Sequence, residues 1–121
     1  MSYTLDLELA RARVALAAGD WEAAARTAEV VAGNNPGGWL AHRVVAEARL
    51  RAGDPDAALA AAEALLARRP DDGLAMVIRG VALLDLGRRD EAKRALDEAA
   101  RAVPDSPVLQ ARIAQALGRL G

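Results

Sequence analysis

Gly19, Gly53, Gly87 and Gly121 lie 34 residues apart, and so do Pro36, Pro70 and Pro104. Two kinds of helix breaker on one period mean a unit written three times, with a fourth begun. Such a chain buries its apolar surface by stacking neighbouring units rather than by closing around one centre. Composition decides what the unit is made of. Of the 121 residues, 31 are Ala and 17 are Leu, while Tyr3, Trp21 and Trp39 are the only aromatic side chains. That excess of strong helix formers over β-branched and aromatic residues predicts an all-α fold.

The unit spanning 39–72 shows the grammar. Val44, Val45, Ala48, Leu50 and Ala52 recur at helical spacing across 40–52, and Gly53 ends the run, as a residue able to take positive φ should. Asp54 supplies an N-cap oxygen, and Pro55 opens a second helix over 55–69, where its missing N–H costs nothing. Pro70 follows, and Asp71-Asp72-Gly73 turns into the next unit. Gly19-Asp20-Trp21-Glu22 opens the second helix of unit one in the same way, Gly87-Arg88-Arg89-Asp90-Glu91 does so in unit three without the Asp cap, and Ser106-Pro107 starts a closing helix over 107–120. Seven helices are expected, three antiparallel pairs and one more.

These residues carry a resemblance to the tetratricopeptide repeat family: a 34-residue helix–turn–helix unit with Gly then Asp at the turn and Pro at its end. The small residue of the first helix falls at Ala12, Ala46, Gly80 and Ala114, and the early Ala of the second helix at Ala24, Ala58 and Ala92. The string 86–92, Leu-Gly-Arg-Arg-Asp-Glu-Ala, is similar to the family's most typical stretch. The resemblance implies a right-handed α-solenoid of three tetratricopeptide-like repeats, at about 5–38, 39–72 and 73–106, closed by a capping helix at 107–121, all one domain. The chain departs from the family where large aromatics are usual, with Ala15, Arg49 and Leu83 on first helices and Ala28, Ala62 and Leu96 on second ones. Smaller side chains there predict closer helix approach and less buried area per unit.

On the closing helix, Leu109, Ile113, Ala116, Leu117 and Leu120 form a stripe able to cover unit three, with Gln110, Arg112, Gln115 and Arg119 largely off it. That amphipathic pattern is expected of a natural end to a stack, rather than of a cut at Gly121 in mid-repeat.

Little here could do chemistry. There is no Cys and one His, so thiolate chemistry and a His-based metal site are excluded, and His42 stands where the family packs a side chain between helices. Ser2, Thr4, Thr27 and Ser106 are scattered, with Thr4 and Ser106 accounted for as helix starts. The carboxylate pairs Asp71-Asp72, Asp90-Glu91 and Asp97-Glu98 are expected to face solvent, whereas catalytic pairs need burial and convergence. No phosphate-binding glycine motif occurs. No enzyme activity, cofactor or metal is expected. Trp21 is read as a packing residue, and Trp39, after Gly37-Gly38, as a packing residue with a partial surface anchor as the alternative.

Net charge is −1, from 16 basic and 17 acidic residues interspersed along the chain, without the basic stripe of a nucleic-acid or membrane-surface binder. The start, Met1-Ser2-Tyr3-Thr4, lacks the basic and apolar regions of a signal peptide, and no stretch approaches the ~20 apolar residues of a membrane span. A cytoplasmic protein is expected, and the bias toward Arg, Ala, Gly, Asp and Leu fits a biased genome.

The resemblance also implies that the first helices line a concave groove where peptides or helices lie. On that mapping the partner-binding groove is Leu9, Arg13, Leu40, Arg43, Glu47, Leu50, Leu74, Val77, Val81, Leu84, Arg112 and Gln115, joined by Leu16, Arg51, Asp85, Val108, Ala111 and Arg119. Leu9 and Arg13 stand where acidic-tail binders of the family carry Lys and Asn, so that clamp is incomplete. On the third first-helix, Met76, Gly80 and Leu83 are expected to cover the core, leaving Leu74, Val77, Val81 and Leu84 as a second apolar stripe open on the groove. The expected function is an adaptor or chaperone that holds an apolar or amphipathic protein or peptide segment, with bacterial secretion-related chaperones as the most concrete instance. No nucleic acid or membrane partner is expected. The alternative is a homo-oligomeric scaffold that buries the groove against a second copy.

Overall fold

The computed structural model describes residues 3–35 and 38–121, and at residues 3 and 4 the backbone alone. The breaker at Pro36, the turn at Gly37 and the helix-start role of the Thr4 side chain lie outside the described residues. The order is α1 (Tyr3–Ala17), α2 (Trp21–Asn34), α3 (Trp39–Arg51), α4 (Pro55–Arg68), α5 (Gly73–Asp85), α6 (Arg89–Ala102) and α7 (Pro107–Leu120), with no strand among the described residues. Each helix packs on the next in the chain, and α1, α3, α5 and α7 also pack in succession, which is the pattern of a stack. The fold is an all-α solenoid.

The glycine period has a backbone cause. Gly53 has a φ of 83°. Its N–H donates to Leu50 O at 3.2 Å, and the next N–H, of Asp54, donates to Arg49 O at 2.9 Å. This pair of bonds satisfies the last carbonyls of α3 and requires a left-handed residue, the conformation only glycine takes without strain. Gly19 and Gly87 make the same pair of bonds at the ends of α1 and α5. The carboxylates of Asp20 and Asp54 then accept from the N–H groups of Ala23 and Ala57, and Ser106 Oγ accepts from Leu109 N–H.

Asp72 was expected at the surface with Asp71, but it is buried. Its carboxylate caps α5 by accepting from Ala75 N–H at 3.0 Å, so its place is set by the helix start rather than by solubility. Gln110, expected off the α7 stripe, is half-buried and donates to the carbonyls of Ala100 and Val103 at the end of α6. That contact ties α7 to unit three beside the buried Ile113 and Ala116.

Helix α5 corrects the reading of its second stripe. Val77 is 0% exposed and Leu84 is buried, while Leu74 and Val81 are half-buried. Helices α3, α4, α6 and α7 all pack on α5, so neighbouring first helices consume the face taken for an open one. Gly80 permits the tightest of these contacts, since a Cβ there would stand 2.6 Å from Leu96 Cδ2.

Candidate functional site

The first-helix side carries two open pockets. One, of about 300 Å³, is lined by Arg13, Leu16 and Ala17 of α1, by Leu40, Arg43, Val44 and Glu47 of α3, and by Leu74 of α5. The other, of about 310 Å³, is lined by Leu50, Arg51, Val81, Asp85, Arg112, Gln115, Ala116 and Arg119. Each has an aliphatic floor and a guanidinium rim. The 34-residue register explains why: Leu40 and Leu74 are equivalent first-turn positions, as are Leu16 and Leu50 in the last turn, so stacking lines them up.

Glu47 links the two pockets. It is 8% exposed. Arg112 of α7 donates to it through both terminal nitrogens, Nη1 to Oε1 at 2.8 Å and Nη2 to Oε2 at 3.2 Å, and Arg51 Nε donates to Oε2 at 2.7 Å. Burial alone would raise the Glu47 pKa, but the hydrogen bonds and charges of the two arginines more than reverse this and hold it below the ordinary 4.5. Helices α3 and α7 lie two units apart with α5 between them, so this ion pair spans the first-helix side, as a surface that curves inward allows. Arg112 stands in register with Val44 and Ile78, both buried apolar residues. At that place it gives up core burial for reach.

At the first pocket, Trp39 fixes the rim. The Arg69 guanidinium stands 4.1 Å from its ring centre and that of Arg43 5.7 Å. Arg43 also pairs with the buried Asp72 at 3.5 Å, so the residue that caps α5 positions a pocket cation too. Trp21 is half-buried under Arg51, 5.3 Å from ring centre to guanidinium carbon. Both tryptophans are platforms for arginines.

Of the groove residues read from sequence, the structure brings Arg13, Leu40, Arg43, Glu47 and Leu74 together at one pocket and Leu50, Val81, Arg112 and Gln115 at the other. Leu9 lies apart, packed half-buried beside Val44 and Val45 and against a smaller depression that includes Trp39 and Leu40. Val77 and Leu84 line neither pocket, because both are core. The reading missed Val44 in the floor, and it missed that Glu47 and Arg112 are partners. Only a register argument that crossed two units could have found that pair. A further depression on the second-helix side holds Glu63, Arg79, Glu91, Arg94 and Glu98, with Arg79 and Glu98 paired across it at 2.6 Å. Among the described residues no cluster of His, Cys, Asp and Glu could hold a metal ion, and no helix is long and apolar enough to cross a membrane.

The family model described as "Tetratricopeptide repeat" matches residues 9–58, 46–107 and 79–121. No curated protein matches the chain significantly. Among solved structures, the tetratricopeptide domain of Sgt2 from Aspergillus fumigatus is similar with a TM-score of 0.83 at 18% identity, over 98% of this chain and 80% of that one. A tetratricopeptide-like protein from Chlorobium tepidum gives 0.80 at 22% identity, over 96% and 91%. The second tetratricopeptide domain of human RPAP3, solved in complex with the HSP70 peptide SGPTIEEVD, gives 0.79 at 18% identity, over 90% and 91%.

Proposed function

Because the chain belongs to the tetratricopeptide repeat family, we propose that it is a protein-interaction module, adaptor-like or chaperone-like, that holds a partner's peptide or helix against the side formed by α1, α3, α5 and α7. The observation that carries this reading is the first pocket. Leu16, Leu40, Val44 and Leu74 form an aliphatic floor that the stack leaves open, with charged groups at its edge to orient what enters. The RPAP3 domain, which shares the fold, holds a peptide, and this supports a peptide-sized occupant here. The reading makes the chain a non-enzymatic protein of the cytoplasm that needs no cofactor, and a secretion-related chaperone would be one instance of it. Its groove is defined by the two pockets, with Leu40 and Leu74 as the apolar contacts of the first and Val81 of the second.

The test is Leu40→Glu. Leu40 is an exposed residue at the start of α3, so the substitution should leave the melting temperature within a few degrees of the parent. Partner capture from an extract, quantified by mass spectrometry, should fall for the specific partner, because an unpaired carboxylate would then be buried in the interface. A partner held equally well by the variant would move the binding surface elsewhere. Light scattering on the same pair separates the other occupant: a mass that doubles with concentration in the parent and not in Leu40→Glu would seat a second copy in the groove.

A further inference from the structure

We infer that the groove is built for an acidic amphipathic segment, recognised along its length rather than by a free end; this rests on the groove reading above. The two pockets are lined by Arg13, Arg43, Arg51, Arg112 and Arg119 against only Glu47 and Asp85. That is a surplus of three positive charges on a chain whose net charge is −1. Both carboxylates are already engaged, Glu47 by Arg51 and Arg112, and Asp85 by Arg119 at 2.7 Å. A cationic partner would therefore have to displace an arginine to find an anion. An anionic partner finds cations waiting. Arg13 makes no ion pair among the described residues, and Arg43, whose side chain is 35% exposed, approaches Asp72 only to 3.5 Å.

The surplus sits on the rims of floors made of Leu, Val and Ala, so charge alone does not describe the ligand. A carboxylate reaching Arg13 or Arg43 belongs to a segment whose neighbouring apolar side chain enters the floor beside Leu40 and Leu74. Single-stranded nucleic acid is also anionic, but it binds by stacking bases on exposed aromatic faces, and neither pocket lining contains an aromatic residue. An acidic, amphipathic peptide satisfies both parts of the surface.

The experiment is a selection of random peptides of about four helical turns, displayed between two flanking domains so that neither terminus is free, on the immobilised full chain at low salt. The expected winners carry net negative charge and at least one large apolar residue. Their affinity should fall about three- to tenfold in Arg13→Gln, further in Arg13→Glu, and with added salt, while both variants keep the parental melting temperature because Arg13 is exposed. Neutral or basic winners that still lose binding in Leu40→Glu would overturn this inference and leave the groove reading standing. Winners indifferent to Leu40→Glu and Arg13→Glu alike would overturn both, whereas an empty selection would overturn this inference alone, because no peptide with a free end is displayed. Binding of a single-stranded oligothymidylate that Arg13→Glu abolishes and the selected peptides do not compete for would replace the peptide by nucleic acid.

Discussion

Helix α5 buries Ala75, Val77, Ile78, Gly80, Ala82, Leu83 and Leu84, whereas α1, its counterpart two units earlier, buries Ala12 alone among its described side chains. Both helices end on the same glycine motif and stand in the same register. They differ in neighbours and in volume: α5 is packed by four helices and α1 by two, α2 and α3. Where α5 carries Val81, α1 carries Arg13, and Leu7 and Val14 of α1 remain 47% and 69% exposed. One continuous apolar cluster joins α3 through α7, while the joint of units one and two is held by small patches such as Ala24, Ala25 and Ala48. The period therefore sets the backbone, and apolar volume sets how much each joint contributes. In a stack whose stability is nearly a sum of units and joints, the first unit should open before the rest.

The harshest way to break the C-terminal half is Val77→Glu. On sequence alone this change reads as a groove mutation that leaves the fold intact, but Val77 is fully buried among apolar neighbours. An uncompensated carboxylate there should cost about 3–5 kcal/mol. Urea titration should show the variant largely unfolded or with its midpoint far below the parent. A folded variant of normal midpoint would mean α5 is not enclosed on that side.

Next in size is Ile113→Ala. Ile113 is the largest buried side chain of α7 and belongs to the same cluster as Val77, so the cavity should cost about 2–5 kcal/mol. Removing 107–121 altogether should expose that surface and bring aggregation or a large loss of thermal stability. Hydrogen exchange sharpens the comparison. In the parent, α1 and α2 amides should exchange at lower protection than those of α5 and α6, and Ile113→Ala should narrow the gap. Uniform protection along the chain would abolish the contrast between the halves.

The backbone was legible because its cause is local. A left-handed glycine at the end of each first helix, Asp or Ser at most helix starts and Pro shortly after second-helix ends are each written in one or two residues, and they repeat. The site was legible only in part. Which residues stand on first helices follows from the period, but whether they are open depends on how many neighbours a helix has, so Val77 and Leu84 were misjudged while Leu40 and Leu74 do line a pocket. Arg49, in a place where an aromatic is usual, carries no local sign of its partners. It bonds Glu29 through Nε and Nη2 and Glu22 through Nη1, charges 20 and 27 residues away, and the Glu29 and Glu22 bonds raise its pKa so that it stays charged. The Glu47–Arg112 pair spans 65 residues and is still less readable.

That pair supplies a third, smaller test, since it is the tie between the halves on the groove side. Its folded pKa lies below the ordinary 4.5, so Glu47 contributes stability above the unfolded pKa and loses it as pH falls through the folded value. Glu47→Gln should cost about 1.5–3 kcal/mol near neutral pH, the range of hydrogen bonds to charged groups. The difference between parent and variant should shrink as pH drops below about 4.5, where the unfolded parent takes up its proton, and vanish once the folded carboxylate protonates at its lower pKa. A gap that does not change with pH would mean that the carboxylate's charge contributes nothing.

The smallest expected effect is the most pointed about the first unit. Val14 stands in register with Ala48, Ala82 and Ala116, which are 0%, 0% and 3% exposed, and Ala48 packs there with Ala24 and Ala25 of the preceding unit. Among the described residues no helix covers the corresponding side of α1, and Val14 points to solvent. Val14→Glu should therefore change stability by no more than about 0.5 kcal/mol, whereas Ala82→Glu at the equivalent buried place should cost several times that. Helix propensity favours Glu slightly over Val, which offsets part of any loss. Thermal melts at two protein concentrations decide the matter. A loss for Val14→Glu well above 1 kcal/mol that grows with protein concentration would show that in solution the exposed side of α1 is covered by another molecule. The asymmetry between α1 and α5 would then belong to the isolated chain and not to the protein as it assembles.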